Sequence, residues 1–310
     1  MSNMEAPREG HRIQMSNITE SERLPMNNDM NKPVLADLLD QAYLEVIPTS
    51  TILDRLVHIP RQCYLAITCS PVHGLEPTLK LVEELRALPD ERQLKLIPHI
   101  AARMVRDKGH LTEILARLQD AQVESVFVPG GDAPEPLGQY DNSLQVLRDM
   151  AEIGHQIEDV GIAAYPEGHP LINSQELMRF LKEKQAFSSY VVTQMCFDAQ
   201  VLVNWLKDIR RQGVVLPVWI GLPGVADMGK LISLSFRIGV GQSLKLLKKQ
   251  KGMLKKVISA QPYQPDDLLE ALHPHLLDPD INVPGFHLFS FNDVERTEKW
   301  RLAACRRFGK

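Results

Sequence analysis

The sequence predicts an α/β fold of the (β/α)8 class, a TIM barrel in a single domain. Three observations predict it. Short apolar runs alternate with helix-length segments along most of the chain, which is the pattern of a parallel sheet wrapped by helices. The runs are almost continuously apolar, as strands covered on both faces are. Four of them end in groups that can do chemistry: Leu94-Lys-Leu-Ile-Pro-His99, Ser125-Val-Phe-Val-Pro-Gly-Gly-Asp132, Gly161-Ile-Ala-Ala-Tyr-Pro-Glu-Gly-His-Pro170 and Tyr190-Val-Val-Thr-Gln194. In a barrel, residues just beyond the C-terminal end of each strand face the active site.

Taken in order, the first strand is expected over Tyr43–Pro48, before a helix over Ser50–Val57. Tyr64–Ser70 precedes Glu76–Leu88, Leu94–Ala101 precedes Gly109–Ala121, and Glu124–Pro129 precedes Asn142–Ile153. Asp159–Tyr165 precedes Ser174–Lys184, and Tyr190–Cys196 precedes Ala199–Gln212. Leu216–Gly221 precedes a long helical region from Asp227 to Ser259, and Phe286–Phe291 precedes Asp293–Phe308. An open doubly wound sheet is the competing architecture, but no glycine-rich G-x-G-x-x-G loop follows the first strand.

The chain has 310 residues, 44% of them hydrophobic and 24% charged, which suffices for one barrel core and a leader. Residues 1–32 are polar, with neither the apolar core of a signal peptide nor the basic balance of a transit peptide. They are expected to form a flexible leader, and residues 33–310 the barrel. A net charge of −4 gives no electrostatic reason to expect nucleic acid. Cys63, Cys69, Cys196 and Cys305 lack metal-type spacing, so reduced thiols, no metal and a cytoplasmic location are expected. Val214–Ala226, the longest nearly uncharged apolar stretch, is too short to span a bilayer. Homo-oligomerisation is compatible with the sequence without being specified by it.

Leu44-Glu-Val-Ile-Pro48, Pro98-His99, Gly130-Gly-Asp132, Ala163-Ala-Tyr-Pro-Glu-Gly-His-Pro170, Thr193-Gln-Met-Cys-Phe-Asp198 and Phe286-His-Leu-Phe-Ser-Phe-Asn292 form an ordered set. In order and spacing, over residues 43 to about 308, it resembles the methylenetetrahydrofolate reductase family. The Ala-Tyr-Pro-Glu-x-His-Pro and Thr-Gln-x-x-Phe-Asp pieces are specific together. The resemblance implies an FAD-containing barrel that passes a hydride from NADH or NADPH to flavin, and then to 5,10-methylenetetrahydrofolate to give 5-methyltetrahydrofolate.

It also implies roles. Glu45 would be the general acid that opens the folate's five-membered ring. Its place inside an apolar run makes a carboxylate costly unless paired or protonated, and partial desolvation favours the protonated form of a carboxyl group. Its structural alternative is a strand-end acid that caps backbone or pairs with an arginine. Asp132 would lie near flavin and pterin, or else be an ordinary turn residue after two glycines. Thr68, His99, Gly131, Tyr140, Ala163, Tyr165, His169 and Lys184 fall at positions resembling the family's FAD-binding set. Tyrosine and histidine present a flat apolar body with a polar tip to such a cofactor, although a histidine such as His99 is equally a structural hydrogen-bonder. Lys184 requires a small deletion in register, and Glu176 is a nearby candidate for the family's acidic partner. Gln194 would hydrogen-bond the pterin, an amide offering donor and acceptor together, or else cap a strand end. Lys230 and Phe291 would contact substrate, whereas Phe197 reads as core.

Departures from the family pattern concentrate on flavin and nicotinamide. Gly130 stands where an arginine is common, Asp293 where some relatives carry a folate-binding arginine, and Lys230 and Leu234 where bacterial relatives have glutamine and phenylalanine. The resemblance therefore leaves open a flavin-free NADH-dependent reductase, a paralogue oxidising methyltetrahydrofolate in a demethylation pathway, and a folate-binding protein without turnover. The basic segment from Gly239 to Lys256 reads as a solvated amphipathic face or as an anion site. Because the sequence ends soon after the last barrel helix, no regulatory domain and no inhibition by S-adenosylmethionine are expected.

Overall fold

The computed structural model describes residues 35–89, 92–237 and 262–309. Eight strands, β1 Tyr43–Val46, β2 Tyr64–Ile67, β3 Lys95–Pro98, β4 Ser125–Val128, β5 Asp159–Ala164, β6 Tyr190–Thr193, β7 Val218–Pro223 and β8 Gly285–Phe289, pair in the order β3-β2-β1-β8-β7-β6-β5-β4. Every neighbouring pair in that order is parallel. The seam between β3 and β4 closes through a parallel bridge from His99 to Phe127, with the Ile100 amide donating to the Phe127 carbonyl at 2.8 Å. A closed ring leaves no unpaired edge, so the fold is the (β/α)8 barrel and the open sheet is excluded.

The helices described are α1 Leu35–Asp40, α2 Glu76–Ala87, α3 Lys108–Asp120, α4 Ser143–Ile153, α5 Ser174–Lys184, α6 Ala199–Arg211, α7 Met228–Arg237, α8 Asp266–Leu276 and α9 Val294–Phe308. Side-chain caps begin five of them, including α7, where Asp227 accepts from the Gly229 and Lys230 amides. Asp107 accepts from the His110 amide, Asn173 from Glu176, and Asp198 from Gln200 and Val201, while Asn142 and Gln145 form a capping box. Each cap satisfies amides that the first helical turn leaves without carbonyl partners.

Alternation along each strand divides the core in two. Outward residues such as Leu44, Val46, Leu65, Ile67, Val126 and Val128 pack beneath the helices. Inward residues Tyr43, Ala66, Ile97, Phe127, Tyr190, Val192 and Trp219 fill the lumen. Tyr43 stacks on Trp219 at 4.0 Å and on Tyr64 at 4.7 Å. These aromatics lie at the N-terminal strand ends and plug that half, so the open mouth is the C-terminal one.

Three expectations are corrected. The segment after β1 is not an α-helix over Ser50–Val57 but a 3-10 helix over Leu53–His58 without a buried residue. Pro60 holds Ile59 extended and stops it after one short stretch. The seventh strand begins at Val218 rather than Leu216, directly after Pro217, which has no amide to give a ladder. Two helices, α1 and α8, were not anticipated: α1 has only six residues, and α8 carries Pro274 inside it. The expected leader, the basic segment and the end of the Asp227–Ser259 region lie outside the described residues.

Candidate functional site

Glu45 is the third residue of β1 and faces the lumen, in register with Ala66 of β2 and Phe289 of β8. Its side chain is 14% exposed. The partner is neither arginine nor backbone: the Nε2 of His287, on the inward face of β8, lies 3.0 Å from Glu45 Oε2. The Nε2 of His99, just beyond β3, lies 3.9 Å from the same oxygen. Both imidazoles are buried, and His99 Nε2 and His287 Nδ1 have no hydrogen-bond partner. Burial, helped by the neighbouring His287, holds the pKa of His99 well below the ordinary histidine value, so its ring is neutral.

Among the described residues, Glu45, His99 and His287 bring three potential ligand atoms within 4.8 Å of one another. A cation could be held there, yet the 3.0 Å contact is already a hydrogen bond between two members. His287 was missed in the sequence. The available signal was period two: in Gly285-Phe-His-Leu-Phe289 the imidazole occupies an inward position of an otherwise apolar strand.

The loop after β8 braces this carboxylate. The Ser290 hydroxyl donates to the Glu45 carbonyl. Asn292 accepts from the Ile47 amide at 2.7 Å and donates to its carbonyl at 2.9 Å, and Arg55 donates to the Asn292 carbonyl at 2.7 Å. Phe291 and Asn292 both have left-handed backbone, φ 51° and 63°. Two such residues in succession without glycine persist only where surrounding contacts fix them. Lys230 Nζ donates to the Phe291 carbonyl at 3.2 Å and lies over its ring, so two expected substrate contacts are neighbours.

A second group forms beyond β4 and β5. Asp132 is exposed and follows Gly131, whose φ of +94° only glycine adopts freely. Arg103 ties the same loop down by donating to the carbonyls of Ala133, Pro134 and Asp141. Tyr165 and His169 meet edge to face at 5.0 Å. Desolvation, then the Asp132 charge, push the Tyr165 hydroxyl up to about 12, while desolvation lowers His169 against the opposing pull of Asp132. Those effects bring Asp132, Tyr165 and His169 into one electrostatic neighbourhood.

The remaining positions are individually placed. Lys184, 8% exposed at the end of α5, donates to the Ala163 carbonyl at 3.3 Å, and burial lowers it to about 8. Tyr140 is buried with its hydroxyl given to Asp149 at 2.6 Å, so it offers a ring more than a polar tip. Thr68 accepts at its carbonyl from the Thr78 hydroxyl. The Gln194 side-chain oxygen accepts from the Met195 amide at 2.9 Å. Phe197 packs as core against Tyr263. Because all eight strands are parallel, Glu45, Asp132 and Gln194 belong to the same end of the barrel. All four cysteines are free thiols, and no described helix is long and apolar enough to cross a membrane.

Fold and site define a (β/α)8-barrel protein with a carboxylate–imidazole cluster set into its C-terminal mouth. The sequence model of the family described as methylenetetrahydrofolate reductase matches residues 54–298. The chain belongs to the methylenetetrahydrofolate reductase family. It is 25% identical over 195 residues to "Probable methylenetetrahydrofolate reductase (NADPH)" of Caenorhabditis elegans, covering 58% of this chain and 28% of that protein. Over 70 residues it is 31% identical to "Methylenetetrahydrofolate reductase 2" of Saccharomyces cerevisiae, 21% of this chain and 11% of that one. Over 65 residues it is 32% identical to "Methylenetetrahydrofolate reductase 1" of Schizosaccharomyces pombe, 20% of this chain and 11% of that one. The matches thus span less than a third of these relatives' lengths.

Proposed function

We propose that the barrel reduces 5,10-methylenetetrahydrofolate to 5-methyltetrahydrofolate, with NADH or NADPH as hydride donor and FAD as intermediary. The observation that carries this reading is Glu45, a largely buried carboxyl group at the open mouth whose one oxygen is fixed by His287. Ring opening of the bridged folate requires a proton on the departing nitrogen, and a positioned acid in a partly dry mouth delivers it. Gln194 would hold the pterin by its amide and Asp132 would lie beside it, while Lys230 and Phe291 would also contact the folate substrate.

FAD, when bound, supplies the two-electron relay between nicotinamide and folate. Thr68, His99, Gly131, Tyr140, Ala163, Tyr165, His169 and Lys184 would hold it. The chemistry of the set fits in part: a buried lysine hydrogen-bonded to a neutral carbonyl suits a phosphate, and the Tyr165–His169 ring pair suits a flat apolar surface. Gly130 supports the second reading, direct flavin-free transfer from NADH, because the family's common arginine is missing there.

Glu45→Gln decides the central role. The variant is expected to bind the folate normally and to lose about a hundredfold or more of its reduction rate, within the usual contribution of general acid catalysis. Full turnover in that variant sinks the assignment. Flavin absorbance of the purified protein, followed by its bleaching with NADH, separates the relay from direct transfer. Absence of any turnover with NADH, NADPH and methylenetetrahydrofolate would leave a folate-binding protein instead. A cytoplasmic location and a single-domain barrel belong to the same proposal.

A further inference from the structure

We propose that His287 is a positioning residue that donates a permanent hydrogen bond to Glu45 Oε2, confining the transferable proton of Glu45 to Oε1. The proposal rests on the reductase reading and deepens it.

The geometry around the imidazole selects the tautomer. Nε2 lies 3.0 Å from Glu45 Oε2, and Nδ1 is buried without a partner. With the hydrogen on Nε2, the ring donates to Glu45 and leaves a bare lone pair at Nδ1. With the hydrogen on Nδ1, a buried N–H is left without an acceptor, and orphaned donors are the rarer defect in folded proteins. The Nε2–H tautomer therefore serves both protonation states of Glu45. When Glu45 is a carboxylic acid, Oε2 accepts from His287 and the acidic hydrogen sits on Oε1. When Glu45 has given that proton away, the same donor stabilises the carboxylate left behind.

His99 supports this without competing for it. Its Nε2 is 3.9 Å from Oε2, beyond hydrogen-bond reach, and its neutral ring adds no charge. The backbone is fixed as well, since Ser290 donates to the Glu45 carbonyl and β1 is paired at this residue with β2 on one side and β8 on the other. Glu45 is thereby oriented by a third group, as an orienting residue holds the base of a nucleophilic triad.

The test uses the full-length protein. Nitrogen-15 NMR of histidine-labelled protein, with His287→Leu to assign the resonance, is expected to report the His287 hydrogen on Nε2. An Nδ1–H tautomer overturns the proposal whether or not the protein reduces folate. In turnover, His287→Leu is expected to lose about tenfold or more in kcat while KM for methylenetetrahydrofolate stays within about threefold. His287→Gln, whose amide can place a donor near the former Nε2, should recover most of that loss. Equal losses in the two variants, or an unchanged kcat in His287→Leu, overturn it. Wild-type protein that fails to reduce the folate at all defeats the reductase reading, whereas an active wild type with an indifferent His287→Leu defeats this inference alone. One equivalent of transition metal co-purifying with wild type and lost from His287→Leu would also overturn it, because the cluster would then be a cation site.

Discussion

Lys184 shows how much a single buried charge can report. Its ammonium sits at the C-terminal end of α5, where a cation is favoured by the helix dipole, yet burial lowers its pKa from 10.5 to about 8. The unfolded chain therefore binds more protons than the folded one between about 8 and 10.5, and stability rises with pH across that window. Below about 8 the burden is fully present. At pH 7 the difference corresponds to about 3 kcal/mol, at roughly 1.4 kcal/mol per pKa unit. Lys184→Met is accordingly expected to resist urea better than the parent at pH 7, with the advantage shrinking toward pH 10.5. A variant less stable at pH 7 contradicts this account. Retaining such a residue makes sense if an anionic ligand offsets its charge, a common trade between stability and function. The resemblance pointed to Lys184 through a register that needs a small deletion before it. His287 escaped because its signal, one polar residue at an inward strand position, emerges only once the register fixes which face is inside.

Elements were legible where local chemistry decides them. The Asn142–Gln145 capping box and the Asp198 cap begin their helices close to where the sequence implied. The 3-10 stretch at Leu53–His58 and the helix α8 were less legible: Pro60 ends the first after one short stretch, and Pro274 inside the second reads as a helix breaker. Close contact between strands makes a sharper test of the barrel wall. In β7, Gly221 donates to the Thr193 hydroxyl at 2.9 Å, and a Cβ added to it would lie 2.2 Å from the Thr193 carbonyl oxygen and 2.7 Å from the Phe289 ring. A backbone oxygen in a neighbouring strand cannot rotate away. Gly221→Ala should therefore lose about 3 kcal/mol, the upper part of the range for overpacking. Gly130→Ala, whose Cβ would meet nothing within 4 Å, should stay within about 0.5 kcal/mol of the parent. Equal urea midpoints for the two variants would show that β6 and β7 yield more than this packing allows.

At the scale of the whole molecule, closure of the ring was legible because alternation of apolar strand and amphipathic helix encodes it many times over, so errors at single boundaries did not matter. The mouth is less redundant: each position there is one residue, and the chain keeps Glu45, Asp132 and Gln194, the residues expected to face folate, while changing residues expected to face flavin. Gly130 is the most economical of these changes to reverse. It lies beyond β4 where the family pattern commonly carries arginine, and open space surrounds the site of its missing side chain. The neighbouring Arg103 cannot substitute, since its guanidinium already ties the carbonyls of Ala133, Pro134 and Asp141. Gly130→Arg is therefore expected to fold normally and to raise the flavin that co-purifies with the protein several-fold, read as the ratio of flavin to protein absorbance. Folate affinity, governed by other residues of the mouth, should change little. If flavin content is unchanged while folate affinity holds, this position does not govern flavin binding, and direct transfer from the nicotinamide becomes the better account of the barrel's chemistry.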